Sequence, residues 1–231
     1  LGQPALIALS DIANDQQYND EAAALLREAI DLNPNDGYLH KLLGDCYRRW
    51  GEYAKGRDAY QGALDRGYVT SDLHRNLGVT LERLGDFERA EAHLRTALKM
   101  NPNDAYALNY LGYWWADLGR NLDEAIALIE KAVKLRPDSG FFVDSLGWVH
   151  FQLGDPYTAV EYLERATELE PSDAEIIGHL GDVYWHLGRF SEARFKWRLA
   201  LSLSRDDAEK TKFQDRIKHG LDAVDTSGVQ S

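Results

Sequence analysis

The sequence has too little of several residue types to support whole classes of protein. It contains one cysteine, one methionine and six prolines in 231 residues. The single cysteine, Cys46, cannot form an internal disulfide, and no Cys/His cluster has zinc spacing. No apolar run reaches the 18 residues that a membrane-spanning helix needs. These absences argue against a disulfide scaffold, a zinc-held fold and a membrane span, and they leave the compartment open.

Positive charge is also scarce. The chain has 26 Lys and Arg against 38 Asp and Glu, which gives a formal net charge of −12. A nucleic-acid backbone would be repelled by that charge, and no dense basic run overrides it. Catalytic signatures such as HExxH, GxSxG and a phosphate-binding glycine loop do not occur. We therefore expect no nucleic-acid partner, no metal, no cofactor and no enzymatic activity.

The N-terminal stretch 1–11 lacks the basic head and the small-residue cleavage site of a signal peptide. The sequence begins with Leu1 rather than Met, which indicates a boundary set by cloning or by processing. We expect any targeting information to have been removed at that boundary.

What the sequence does have is a repeat with a period of about 34 residues. Leu-Gly pairs begin at Leu43, Leu77, Leu111, Leu146 and Leu180. A second glycine follows seven residues after each pair's glycine, at Gly51, Gly85, Gly119, Gly154 and Gly188. Small residues recur at Ala22, Gly56, Ala90, Ala125, Ala159 and Ala193, and again at Ala29, Ala63, Ala97, Ala132, Ala166 and Ala200. Small side chains let two helices approach closely, and the second glycine permits the backbone conformation that ends the first helix.

Large residues and prolines recur with the same period. The large residues are predicted to fill the space between helices, and they are Tyr47, Leu81, Trp115 and Tyr184 on the first helix and Tyr60, Leu94, Ile129, Leu163 and Trp197 on the second. Pro34, Pro102, Pro137 and Pro171 stop the second helix of their repeats, and the Asn and Asp residues that follow can cap the next helix.

These patterns predict an all-α protein of six helix-turn-helix repeats, which form a single solenoid over residues 1–222. The repeats cover residues 3–36, 37–70, 71–104, 105–139, 140–173 and 174–207. The extra residue in the fourth repeat predicts a longer turn between Gly119 and Ala125. A polar capping helix at 208–222 follows, with Phe213, Ile217 and Leu221 on its apolar face, and it shields the last repeat. Residues 223–231 are predicted to be frayed.

The combination of Leu-Gly, Gly, Ala, Ala and Pro at these positions resembles the tetratricopeptide repeat (TPR) family. The resemblance implies a right-handed α-solenoid whose concave face is lined by the first helix of each repeat. The C-terminal half, with Leu108–Tyr113, Asn121–Ala125 and Val143–Trp148, is similar to exported bacterial TPR proteins. Some of their relatives are outer-membrane lipoproteins that act as adaptors of periplasmic C-terminal processing proteases. That narrower resemblance implies a periplasmic protein, with the cytoplasm as the alternative.

One face of each first helix follows helical spacing and is not needed for packing between the helices of the repeat. In the second and third repeats this face is basic, with Lys41, Arg48, Arg49, Arg75 and Arg83 among Asp45, Asp72 and Glu82. In the last three repeats it is aromatic and acidic, with Tyr106, Asn109, Tyr110, Tyr113, Asp117, Phe141, Asp144, Trp148, Phe151, Gln152, His179, Asp182, Trp185 and His186. Each ring either anchors a bound segment or turns inward to fill a gap between repeats. The basic residues either contact a ligand carboxylate or pair with their own neighbours.

The resulting function prediction is a non-catalytic scaffold or adaptor that holds a protein or peptide segment in its groove. Two alternatives stay open at this point: a scaffold that assembles with itself, and the regulatory part of a longer enzyme. His179, Asp182 and His186 share a helical face, and we interpret them as a surface polar cluster rather than a metal site. The partner's identity and the oligomeric state do not follow from the sequence.

Overall fold

The computed structural model describes residues 2–15 and 18–221, with the backbone alone for residues 11–15. Within these ranges it contains thirteen α-helices and no strand, which confirms the predicted all-α class. The chain divides into two compact units, Leu1–Pro102 and Asn103–Ser231. Unit 1 contains α1 (Gln3–Asp15), α2 (Asn19–Leu32), α3 (Gly37–Arg49), α4 (Tyr53–Asp65), α5 (Ser71–Arg83) and α6 (Phe87–Met100). Unit 2 contains α7 (Ala105–Asp117), α8 (Leu122–Leu135), α9 (Gly140–Gln152), α10 (Pro156–Leu169), α11 (Ala174–His186), α12 (Phe190–Leu203) and α13 (Asp207–His219).

The first twelve helices pack in consecutive pairs, and each pair lies within one predicted repeat. The glycine of the Leu-Gly pair is required where the two helices touch. A Cβ added at Gly78 would lie 2.8 Å from Cγ of Leu94 and 3.0 Å from the carbonyl oxygen of Ala90. A Cβ at Gly112 would meet Ile129 at 2.7 Å in the same way. The predicted close approach of the paired helices is therefore confirmed.

The turn between the helices of a pair is built on the second glycine. Gly85 has φ of +77°, a left-handed conformation that an L side chain rarely adopts, and the other glycines of this series share it. The fourth repeat has the predicted longer turn, in which Gly119 has φ of +61° and Asn121 has φ of +49°.

The periodic large residues form the core. All nine are buried, and Trp115 and Trp197 are fully so. Asp36 accepts a hydrogen bond from the backbone N–H of Tyr38, and Asp104 accepts from those of Tyr106 and Ala107, so both cap the helix after a proline turn as predicted. The continuity of a single solenoid across residues 1–222 stays a prediction.

The last helix, α13, packs on α12 and covers the end of unit 2. Phe213 is buried against Gly178, and Ile217 and Leu221 are partly buried in the same apolar cluster, as the predicted amphipathic face requires. The helix ends at His219, before the predicted end at 222, because Gly220 takes a φ of +81°. The tail predicted at 223–231 lies outside the described residues.

Candidate functional site

The predicted aromatic and acidic face lies on α7, α9 and α11, and α9 packs against both of the other helices. Polar side chains link these helices by a repeated contact. Nδ2 of Asn109 donates to Oγ of Ser145 at 3.1 Å, and Nδ1 of His179 lies 2.9 Å from Oδ1 of Asp144. In both cases the fifth residue of one helix contacts the sixth residue of the next. The three helices therefore present one connected surface, which we call the unit 2 face.

The pair of Asp144 and His179 lies at the bottom of this face, with both side chains buried. Burial opposes a charged imidazole, but the carboxylate of Asp144, with Glu175 and Asp182 nearby, outweighs it and raises the pKa of His179 above its usual value. The indole of Trp148 stacks on the imidazole with ring centres 4.2 Å apart. Asp144 and His179 thus form an internal ion pair, on which Trp148 stacks.

The rings of the unit 2 face differ in exposure. Tyr106 and Phe141 are more than half exposed, at 56% and 53%. Tyr110, Tyr113, Trp148, Phe151 and Gln152 are half-buried along the same face. Phe151 packs against Trp148 at 5.4 Å between ring centres and against His186 at 5.3 Å. The face therefore consists of two solvent-exposed rings beside a layer of rings that are already packed on one another.

Negative charge surrounds the middle of the face. Burial raises the pKa of the Tyr113 hydroxyl far above its usual value, and the carboxylates of Glu175, Asp144 and Asp117 raise it further. These three carboxylates come from three different helices, α11, α9 and α7. Glu175 was not among the predicted site residues, although the same spacing places it second in α11, as Tyr106 is in α7 and Phe141 in α9.

Two predicted residues, Asp182 and Trp185, are packed against α12 and the end of α13. Oδ1 of Asp182 accepts a hydrogen bond from Nε1 of Trp197 at 2.8 Å, and Oδ2 lies 2.8 Å from Nη1 of Arg216. The contact with Arg216 is an ion pair rather than an aligned hydrogen bond. The indole of Trp185 packs on Trp197 at 5.3 Å and is covered by Gly220. Asp182 is therefore buried beneath α12 and α13 and is not available to a partner. Trp185 is half-buried and helps to hold these helices in place, and its part in binding stays a prediction.

On the predicted basic face in unit 1, Lys41 and Arg48 make contacts with neighbouring side chains of the chain itself. Lys41 pairs with Asp45 at 2.7 Å and with Asp72 at 3.3 Å. Burial opposes its charge, but these two carboxylates outweigh burial and raise the pKa of Lys41. Nε of Arg48 donates to the hydroxyl of Tyr60 at 3.3 Å. These contacts support the interpretation that the charges pair within the chain.

The other three basic residues of that prediction are more peripheral. Nε of Arg75 donates to Oδ1 of Asn76 at 3.4 Å, Arg83 lies 3.5 Å from Glu82, and Arg49 is exposed. Their part in binding stays a prediction.

A recurring polar contact was missed by the sequence reasoning. Asp45 accepts from the Tyr60 hydroxyl at 2.7 Å and from Nδ2 of Asn76 at 2.9 Å. Asp182 occupies the same place in its repeat and accepts from Trp197. In both repeats an Asp follows Leu-Gly, and an aromatic residue with a polar hydrogen stands 15 positions later. The repeats without this Asp have Leu or Ile at the later position, which is the signal that could have found the contact.

The histidines, carboxylates and cysteine that could carry chemistry have the following surroundings in the described part of the chain. Among those residues, no group of three or more His, Cys, Asp and Glu is arranged to hold a metal ion. His179 and Asp182 are instead engaged by Asp144 and Trp197, and Cys46 is buried. No helix of the described residues has both the length and the apolar character needed to cross a bilayer.

Comparison with known proteins agrees with the repeat pattern. The family model of the tetratricopeptide repeat matches residues 7–68, 75–140 and 145–208. The chain is 32% identical over 160 residues to the TPR repeat-containing protein PA4667 of Pseudomonas aeruginosa, a match that covers 69% of this chain and 27% of that protein. This chain thus spans about a quarter of that relative's length.

Two solved structures are similar in fold. The APC/C hetero-tetramer Cut9-Hcn1 superposes with a TM-score of 0.82 at 19% identity, covering 96% of this chain and 43% of that chain. YrrB, a TPR protein with an unusual peptide-binding site, superposes with a TM-score of 0.57 at 23% identity, covering 72% of this chain and 85% of that chain. At these identities the likeness extends to the fold alone.

Proposed function

Since this chain belongs to the tetratricopeptide repeat family, whose members mediate protein–protein interactions, we propose that its unit 2 face binds a segment of a partner protein. The observation that carries the proposal is the exposure of Tyr106 and Phe141 at equivalent positions of adjacent helices α7 and α9. Neither ring is needed to hold its helix pair together, because the buried Trp115 and Leu163 fill those spaces. Aromatic residues are enriched where proteins bind one another, and exposed clusters of them are costly in water.

The half-buried layer behind these two rings suits a binding surface. Trp148 is stacked on His179, which is fixed by Asp144, so the rings are held in place before a partner arrives. A preorganised aromatic surface loses little conformational freedom when it binds, and this favours affinity. The chain acts in this proposal as a non-catalytic scaffold.

The test compares two pairs of exposed aromatic residues on unit 2. Tyr106 and Phe141 are replaced by Ala on the proposed face, and Tyr157 and Phe195, which are 74% and 63% exposed on α10 and α12, are replaced by Ala as the control. The immobilised chain captures proteins from an extract of the source organism, and mass spectrometry quantifies them. We expect the Tyr106/Phe141 variant to lose a defined set of proteins that the control variant retains.

Equal capture by the two variants, both folded by circular dichroism, would remove the proposal. If the control variant alone loses captured proteins, the binding surface lies on α10 and α12 instead.

We further propose that the protein works in the bacterial periplasm as an adaptor in envelope protein processing. The similarity of residues 108–113, 121–125 and 143–148 to exported bacterial TPR proteins motivates this proposal. The 32% identity to a TPR protein of Pseudomonas aeruginosa supports its bacterial part alone. Fractionation of cells that express the complete gene from its own promoter tests the location. Recovery with the cytoplasmic fraction, while a periplasmic marker is released by osmotic shock, would overturn it.

A further inference from the structure

The three helices of the unit 2 face, α7, α9 and α11, lack permanently positive side chains. Within α7, α9 and α11 there is no Lys or Arg, whereas Asp117, Asp144, Glu175 and Asp182 are all acidic. Asp144 and Asp182 are neutralised by His179 and Arg216, as described above. Asp117 and Glu175 are exposed, and neither has a cation within ion-pair distance in the described part of the chain. The unit 2 face therefore carries two carboxylates without an ion-pair partner among the described residues, and Lys212 and Arg216 line a cavity beside Glu175.

This lack of cations is not a requirement of the fold. The equivalent helices of unit 1, α3 and α5, have the same packing and carry five Lys and Arg residues. Solvent-facing positions of a first helix thus accept basic residues readily. The absence of Lys and Arg from α7, α9 and α11 is therefore not imposed by packing, and we attribute it to the chemistry of what this surface binds.

The two carboxylates share the unit 2 face with the aromatic rings, and Glu175 has in α11 the position that Tyr106 and Phe141 have in α7 and α9. Asp117 is one helical turn after Tyr113 on α7, and both Asp117 and Glu175 influence the Tyr113 hydroxyl electrostatically. A cation above an aromatic ring is attracted by the ring's quadrupole, and an adjacent carboxylate adds a charge-assisted hydrogen bond. One such contact exists at the edge of the unit 2 face, where Cζ of Arg136, from the turn before α9, lies 6.0 Å from the ring centre of Tyr106.

We propose that the partner segment bound by the unit 2 face is basic, with Arg or Lys side chains that contact the rings around Tyr113 and pair with Asp117 and Glu175. This inference rests on the proposed function and adds the chemistry of the ligand to it. The apolar side chains of the segment contact Tyr106 and Phe141, and its cations occupy the middle of the face. An acidic or neutral segment would leave the two carboxylates without compensation and would be selected against.

The test uses a displayed library of random dodecapeptides panned on the full chain. Two double variants with equal change in charge are compared. Asp117→Asn with Glu175→Gln removes the charges of the face, and Glu130→Gln with Glu161→Gln removes two exposed charges from α8 and α10. We expect peptides selected on the wild type to be enriched in Arg and Lys. We also expect the face variant to bind a selected basic peptide roughly three- to tenfold more weakly at low ionic strength, and the control variant to bind it unchanged.

The outcomes separate this inference from the proposed function. Peptides without basic enrichment, whose binding still requires Tyr106 and Phe141, would overturn the inference and leave the proposed function standing. Basic peptides that lose affinity equally with both charge variants would show general attraction to an acidic protein and overturn it too. A mass that doubles with concentration in light scattering, together with no selected peptide, would identify a second copy of the chain as the occupant and refute the basic segment.

Discussion

Replacing Gly78 with alanine tests whether the Leu-Gly glycine sets the distance between paired helices. The added Cβ would lie 2.8 Å from Cγ of Leu94 and 3.0 Å from the carbonyl oxygen of Ala90. Leu94 is fully buried and the carbonyl belongs to a helix backbone, so neither can move aside cheaply. Overpacking of this kind costs about 1–3 kcal/mol, while alanine gains up to about 1 kcal/mol over glycine in helix propensity. We expect the free energy of unfolding to fall by about 1–2 kcal/mol.

Gly56 provides the matched comparison in the same unit. It lies in α4 where other repeats have alanine, and an added Cβ would be 3.4 Å from its nearest neighbour, the backbone nitrogen of Arg48. That is an ordinary contact, so only the propensity gain applies, and Gly56→Ala should stabilise by about 0.5–1 kcal/mol. Urea unfolding followed by far-ultraviolet circular dichroism measures both variants. If Gly78→Ala stabilises the protein as much as Gly56→Ala does, the close packing of the two helices is not what selects glycine.

Three further predictions concern the buried charges and histidines. Arg216→Met should lower the free energy of unfolding by about 3 kcal/mol, because it leaves the buried carboxylate of Asp182 without its cation, and urea unfolding measures the loss. The pKa of His179 is raised above 6.5 in the folded state, so the stability that its charged form gains from Asp144 is complete below pH 6.5 and is lost as pH rises through the folded pKa. The midpoint temperature of unfolding should therefore fall more steeply above neutral pH for wild type than for His179→Gln. Burial, with the neighbouring His74, lowers the pKa of His93 to about 4, so protonation between pH 6.5 and 4 opposes folding, and His93→Gln should resist acid unfolding better than wild type in that window.

Each of these has an outcome that contradicts it. Arg205→Met removes an exposed charge next to α13, and a loss as large as that of Arg216→Met would show that net charge rather than the buried pair is responsible. Parallel pH profiles of wild type and His179→Gln would mean that Asp144 does not hold the imidazole charged. An acid midpoint unchanged by His93→Gln would place the acid sensitivity at other groups.

The repeat pattern was sufficient to predict much of the fold. Gly78 and Gly112 lie against Leu94 and Ile129 as their spacing predicts, and Gly85 has the left-handed backbone expected after a first helix. These features follow from contacts within one repeat, where the two partners are about 16 residues apart in every copy. A pattern that recurs with a fixed period identifies such partners directly.

The candidate face was predicted less completely, because its residues are decided by contacts between repeats. Helical spacing places Trp148 and Trp185 on the same face of their helices, α9 and α11. Trp148 nevertheless stacks on His179 of α11, whereas Trp185 is covered by Gly220 at the end of α13. Asp182 has the spacing of a groove residue, and its burial depends on Arg216. No property of the two tryptophans themselves distinguishes their cases, whereas the contact of Asp182 with Trp197 has the sequence signal described above.

The sequence by itself thus determined the repeat, the helix pairs, their turns and the positions from which a binding surface could be built. The tertiary structure decided which of those positions face solvent. The physical reason is that packing within a helix pair depends on residues at a fixed short separation. The exposure of Tyr106 or the burial of Asp182, in contrast, depends on which side chains the neighbouring repeat or the final helix brings to the same place.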